Sequence, residues 1–189
     1  SPTFPYLVTE LNRNQLGITA LRWLSGGPRT REATALLDAL GLLDGDRISP
    51  LASSYSRQVL DLLQAKGQGQ VLNRAELLSG GPGSDSEYFD PRGARLEPDL
   101  LLVVLATLVY GGHLVLAISG DKIDASKIKL LGERSLEDLK AFRHLEAPRE
   151  LNAEVLRALF ELAGLPPGNA RMVVQGQEEP VRQLLDAVA

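Results

Sequence analysis

LEPDLLLVVLATLVYGGHLVLAISGDKIDA, residues 96–125, is the most concentrated apolar stretch of the chain, and its reading decides the fold. Pro98 suits the first turn of a helix, where its missing N–H costs nothing. Leu100, Leu101, Leu102, Val103, Val104, Leu105, Leu108 and Val109 leave that helix no polar face, so it is buried all round. Gly111-Gly112 ends it. His113 to Ile118 alternates and is rich in Val, Leu and Ile, which reads as a strand. Ser119-Gly120-Asp121 is a turn, and Lys122 to Asp124 returns as a second strand. A helix, a hairpin and a further helix are the order of a winged-helix fold, with the hairpin as the wing.

Working back from this stretch, residues 1–5 (SPTFP) read as an extended lead-in. Tyr6 to Ser25 has helical spacing, with Gly17 as a candidate break and Gly26-Gly27-Pro28 as the stop. Trp23, just before that stop, reads as a core anchor. Thr30 caps a second helix to Leu43, with Ala33, Leu36, Leu37, Leu40 and Leu43 on one face. A tight turn and a short extended piece follow, to Pro50. Ser53 or Ser54 caps a third helix to Lys66. Val71 to Leu78 reads as a short fourth, with Asn73 and Glu76 at capping-box spacing. Ser79 to Gly83 (SGGPG) is the clearest linker.

Working forward, Ala125 to Leu131 reads as a short helix and Ser135 starts another, reaching Ala141 or Phe142. Residues 143–148 read as extended. Leu151 to Ala163 is strongly amphipathic, Pro166-Pro167-Gly168 breaks it, and Asn169 to Gln175 and Pro180 to Val188 read as closing helices. The expected class is α+β: mainly α with small β-hairpins. The linker predicts an N-terminal helical lobe, residues 1–82, with a winged-helix-like arrangement as one option. It also predicts a winged-helix-like C-terminal lobe, residues 83–189, with its hairpin near 113–124.

The composition narrows the chemistry. The 189 residues are 44% hydrophobic and 23% charged, enough to bury a core in a water-soluble chain. Cysteine is absent, which excludes disulfides and thiolate metal sites and fits a cytoplasmic protein. The net charge of −4 repels nucleic acid, so a DNA contact would need a local basic face. The helix of the opening stretch would be roughly 21 Å long, short of the ~30 Å of a bilayer core. The first residue is Ser1, not Met, and the chain reads as an excised or processed piece.

No catalytic signature stands out. A phosphate-binding loop needs Gly-Lys-Ser/Thr, and the chain has no Gly-Lys pair. The two histidines, His113 and His144, lack metal-ligand spacing and a triad arrangement, so both read as structural or surface residues. The Ser-x-x-Lys tetrads at Ser119–Lys122 and Ser126–Lys129 lack their companion motifs, and the first spans a turn. The reading is therefore a non-enzyme without cofactor or metal.

Charge distribution is what remains. Four cations (Arg47, Arg57, Lys66, Arg74) face one anion (Asp61) between 47 and 74. Between 121 and 134, Lys122, Lys127, Lys129 and Arg134 face Asp121, Asp124 and Glu133. From Ser135 onward nine anions face six cations. The bland reading is scattered solvated charges. The sharper one puts Lys122 on the wing, with Lys127, Lys129 and Arg134 beside it and Arg57, Lys66 and Arg74 as further contacts, to touch phosphates or a partner.

YFDPRGARLEPDLLLVVLATLVYGGHLVLAISGDKIDA (88–125) and FRHLEAPRELNAEVLRALFELAGLPPG (142–168) resemble a region of the very large ATPases of bacterial BREX phage-resistance systems, the PglY (BrxC-like) proteins. That resemblance implies a segment outside the phosphate-binding loop of a longer polypeptide, acting in antiviral defence. Its expected partners are the rest of the parent ATPase, other defence proteins and duplex DNA. The expectation is a non-catalytic protein or DNA interaction module. The alternative is a structural scaffold that makes protein–protein contacts and binds no nucleic acid.

Overall fold

The computed structural model describes residues 9–79, 87–90, 95–148, 153–166, 168, 169, 173 and 179–188. The chain folds as two compact units, residues 1–148 and 149–189. Within the first, α1 (Glu10–Leu24), α2 (Arg31–Ala39), the small hairpin β1 (Leu43–Asp44) and β2 (Arg47–Ile48), α3 (Ser54–Lys66), β3 (Val71–Asn73) and α4 (Arg74–Leu77) lead up to the apolar helix, α5 (Pro98–Tyr110).

Every residue of α5 from Asp99 to Val109 is buried. It packs against α1, α3 and the elements that follow it, so no side of it is left for water. Thr107 meets this environment by donating its hydroxyl to the carbonyl of Val103 at 2.7 Å. Gly112 closes the helix in the left-handed region, φ +71, where a side chain would be strained. Its N–H reaches the Val109 carbonyl at 2.9 Å and that of His113 reaches Leu108, also at 2.9 Å. This pair of reversed bonds satisfies carbonyls that the last turn would leave bare.

After α5 come β4 (Val115–Ile118), β5 (Asp121–Ile123), a 3-10 turn at Ala125–Lys127, α6 (Leu130–Glu133), α7 (Leu136–Lys140) and β6 (His144–Glu146). Helix, hairpin and helix thus follow in the expected order, and the fold is helix-rich α+β. The hairpin is not a freestanding wing, however. β4 pairs on its other side with β6, and β6 pairs with β3, giving an antiparallel sheet in the order β3-β6-β4-β5. Leu72, Leu145, Leu116 and Ile123 stand opposite one another across the four strands and are all buried. They join the side chains of α5 in one core.

The sheet corrects two expectations. Val71–Asn73 is strand and not the start of a helix; the helical turn begins at Arg74. The expected division near residue 82 is also displaced, because β3 from before it pairs with β6 from after it, and the division falls after Pro148. The linker proper, residues 80–83, lies outside the described residues, as do the lead-in at 1–5 and most of the helix expected at 169–175.

Local chemistry explains the other boundaries. α1 runs unbroken through Gly17, whose Cβ would lie 3.9 Å from Leu136 Cδ1. That is an ordinary van der Waals distance, so the glycine is not forced by crowding, and the ~1 kcal/mol it costs does not break a helix packed on α2 and α5. The Thr30 hydroxyl accepts from the N–H of Ala33 at 3.1 Å, as its N-cap position predicts. α2 ends at Ala39, short of the expected Leu43, because Gly41 at φ +68 turns the chain and buries Leu42. The Glu76 carboxylate accepts from the N–H of Asn73 at 3.0 Å, half of a capping box. Trp23 is half-buried and packs on the core.

The second unit holds α8 (Ala153–Leu162) and α9 (Glu179–Val188). Leu156 and Phe160 form its small core, with Leu165, Val173 and Leu184 packed against them.

Candidate functional site

Side chains alternate along a strand, and the sheet has one row turned inward. The rows on either side of it therefore point outward. One outward row is Asn73, His144, Ala117 and Lys122, in register across the four strands; the next holds Val71, Glu146 and Val115. Glu146 Oε1 accepts from both neighbours: Lys122 Nζ at 2.6 Å and His144 Nε2 at 2.7 Å. The Lys122 ammonium, with the imidazole assisting, holds the Glu146 carboxyl below the usual carboxylate range.

At the tip of the hairpin, Asp121 Oδ1 lies 2.8 Å from Lys127 Nζ and accepts from the N–H of Lys122 at 2.8 Å. The Lys127 ammonium is the main reason that Asp121 titrates below its ordinary value. The effect is mutual, and Asp121 pushes Lys127 up. These groups surround an open depression of about 490 Å³ lined by Ala117, Ile118, Gly120, Asp121, Lys122, Lys127, Arg143 and His144. Arg143 is exposed, and its backbone N–H donates to the Ala117 carbonyl at 2.7 Å. Among the described residues its guanidinium has no ion-pair partner.

The candidate contact residues divide accordingly. Lys122 and Lys127 face the depression, each held by a carboxylate. Lys129 and Arg134 are exposed in the segment after the hairpin, and Arg134 also favours the charged form of Asp121. The other three are engaged elsewhere. Arg57 bonds the carbonyls of Ser53 and Ala52 at 3.4 Å, and Lys66 pairs with Glu76 at 2.5 Å. Arg74 grips Glu87 with both terminal nitrogens at 3.2 and 2.5 Å, donates to the Lys140 carbonyl at 2.8 Å and lies over Phe142. Arg74 follows the β3 edge of the sheet and Lys122 lies on the β5 edge, three strand spacings or ~14 Å apart.

Arg143 and His144 line the candidate depression, and charge counting over 47–74 and 121–134 passes over them. The available signal was alternation: Leu145 inward places His144 and Glu146 outward together. His113 is half-buried beside Pro50 and Gly111, and burial pushes its imidazole down. The His144–Glu146 pair has the form of a base and its orienter, and among the described residues no hydroxyl is bonded to the ring. No group of three or more metal-ligating side chains occurs among the described residues, and none of their helices is long and apolar enough to cross a membrane.

Residues 13–147 match the fourth domain of a family of unknown function, DUF6079. No curated protein matches the chain, and no solved structure does.

Proposed function

This chain belongs to the DUF6079 fourth-domain family, and from that premise we propose that it is a non-catalytic interaction module within a larger multidomain protein, contacting protein and not duplex DNA. The observation that carries this reading is a set of exposed apolar side chains on the helices of the second unit. Leu162 is 87% exposed and Leu185 66% exposed, and Leu159 and Val181 are exposed beside them in sequence on α8 and α9. Leucines so open to water on amphipathic helices fit a protein contact. The charges around the hairpin favour the same choice: exposed Asp124 and Glu133 interrupt the continuous basic stripe that a duplex would reward. The resemblance to PglY-like ATPases favours a phage-defence protein of the cytoplasm as the parent, with its other domains as the partners.

The test mixes the chain with the purified remainder of its parent polypeptide and, separately, with a fluorescent duplex. The expected result is binding to the parent that Leu162→Glu with Leu185→Glu weakens about tenfold, with no anisotropy change on DNA at physiological salt. Binding of the duplex that falls steeply with salt, survives the leucine changes and is lost on charge reversal of Lys122, Lys127 and Lys129 would overturn it in favour of a DNA-contacting module.

A further inference from the structure

We propose that the depression on the outer face of the sheet binds one phosphate group carried by a small phosphorylated molecule. The inference is independent of the leucine surface on the second unit. Its volume of about 490 Å³ falls within the range of small-molecule sites. The floor is kept low by small residues. Ala117 sits between His144 and Lys122 in the outward row and is itself buried, while Gly120 leaves the hairpin tip without a side chain. A larger residue at position 117 would fill the space above the sheet.

The walls supply donors. The Arg143 guanidinium has five N–H groups and no ion-pair partner among the described residues. Lys122 and Lys127 each have three ammonium hydrogens, and each is held by one carboxylate oxygen. The carboxylates therefore fix the lysines at the rim and leave donors to spare. His144 adds a ring edge whose Nε2 is committed to Glu146. The imidazole aside, three cations in the lining oppose Asp121 there and Glu146 behind it, a balance of +1.

That balance decides the kind of ligand. A duplex presents a charge about every 1.7 Å and rewards a continuous basic stripe. Here exposed Asp124 and Glu133 interrupt any stripe leading away from the hairpin. An open depression lined by three cationic groups suits a single dianion instead, and Arg143 is the one group able to bind it through a fork of two hydrogen bonds.

The experiment is an amide-resolved NMR titration of the full chain at constant ionic strength, with inorganic phosphate, ribose 5-phosphate and adenosine monophosphate in separate arms. Saturable shifts at Ala117, Gly120, Lys122, Arg143 and His144 are expected with both esters, and the tighter ester identifies what the rest of the depression holds. Arg143→Gln, an exposed change that leaves the core intact, is expected to weaken binding about tenfold, and Lys127→Gln to weaken it less. Arg22→Gln, an exposed change on α1 away from the sheet, serves as the charge-matched control and is expected to leave it unchanged. Shifts that stay linear and spread over the surface would overturn the proposal, as would an Arg143→Gln titration that overlays the parent. Saturation by inorganic phosphate with exclusion of both esters would overturn the assignment to a phosphorylated small molecule.

Discussion

Asp99→Ala is the change expected to report most directly on how the core is tied together. Asp99 opens α5 and is 6% exposed. Its two oxygens meet Arg13 of α1 at 2.9 Å and Lys140 of α7 at 3.0 Å, so one carboxylate joins three helices. Removing it strands two cations. An uncompensated buried charge costs about 3–5 kcal/mol. Here each cation keeps a second carboxylate, Glu97 at 3.7 Å from Arg13 and Glu137 at 2.6 Å from Lys140. Both side chains are also about one-fifth exposed, so water recovers part of the loss, leaving roughly 2–3 kcal/mol. Loss of an acidic group in the first turn of α5 adds ~0.3–1 kcal/mol. The expected total is about 2.3–4 kcal/mol. Urea unfolding followed by Trp23 fluorescence is the assay, because the single tryptophan lies in the first unit and reads that unit alone. Glu137→Ala, at an exposed pair, is the control and should cost under ~1 kcal/mol. A loss within ~0.5 kcal/mol for Asp99→Ala, or full additivity with Lys140→Met, would refute the reasoning.

Leu105→Ala, at a fully buried position of α5, should cost about 2–5 kcal/mol by the same fluorescence assay, as a cavity in a packed core does. Gly111→Ala should cost about 1–3 kcal/mol, because its Cβ would lie 2.7 Å from the His113 ring and 2.8 Å from Pro50 Cγ; calorimetry beside Gly112→Ala separates this crowding from strain at φ +71. On acidification, the Glu87, Asp121, Asp124 and Glu146 carboxyls all titrate below their ordinary values, chiefly through bonds to Arg74, Lys127, Ser126 and Lys122, and Glu76 is lowered to about 2 by Lys66. Groups depressed on folding stabilise fully above their unfolded values, near ~4, and that contribution fades as pH falls through the folded ones. Stability measured against pH should therefore be flat near neutrality and decline below about pH 4.5, and Glu87→Gln with Glu146→Gln should shallow the decline.

The parts legible in the sequence were those fixed within a few residues. α5 announced its burial because no face of Pro98–Tyr110 is polar, and the β4–β5 hairpin showed through alternation around Ser119-Gly120-Asp121. Thr30 and the Asn73–Glu76 pair showed through spacing alone. What stayed hidden was pairing across distance. Val71–Asn73 carries no strand pattern long enough to outweigh the capping signal after it, and it becomes a strand because His144–Glu146 lies alongside. The candidate site followed the same rule. Lys122 and Lys127 could be picked out by charge, but Arg143, His144 and Glu146 join them only through the register of β6 on β4, which no local pattern encodes.

The position of β6 bears on how the protein is made. It is the last of the sheet's strands in sequence, yet it lies between β3 and β4. As a ribosome releases the chain from its amino end, β3 and the β4–β5 hairpin emerge with no partner between them. They wait through more than twenty further residues until His144–Glu146 leaves the exit tunnel. During that interval two bare strand edges and the oily α5 are on offer to chaperones or to other nascent chains. A transcript cut short between residues 124 and 143 would yield a product held in that sticky state, whereas one ending just after Pro148 would contain every strand the sheet requires.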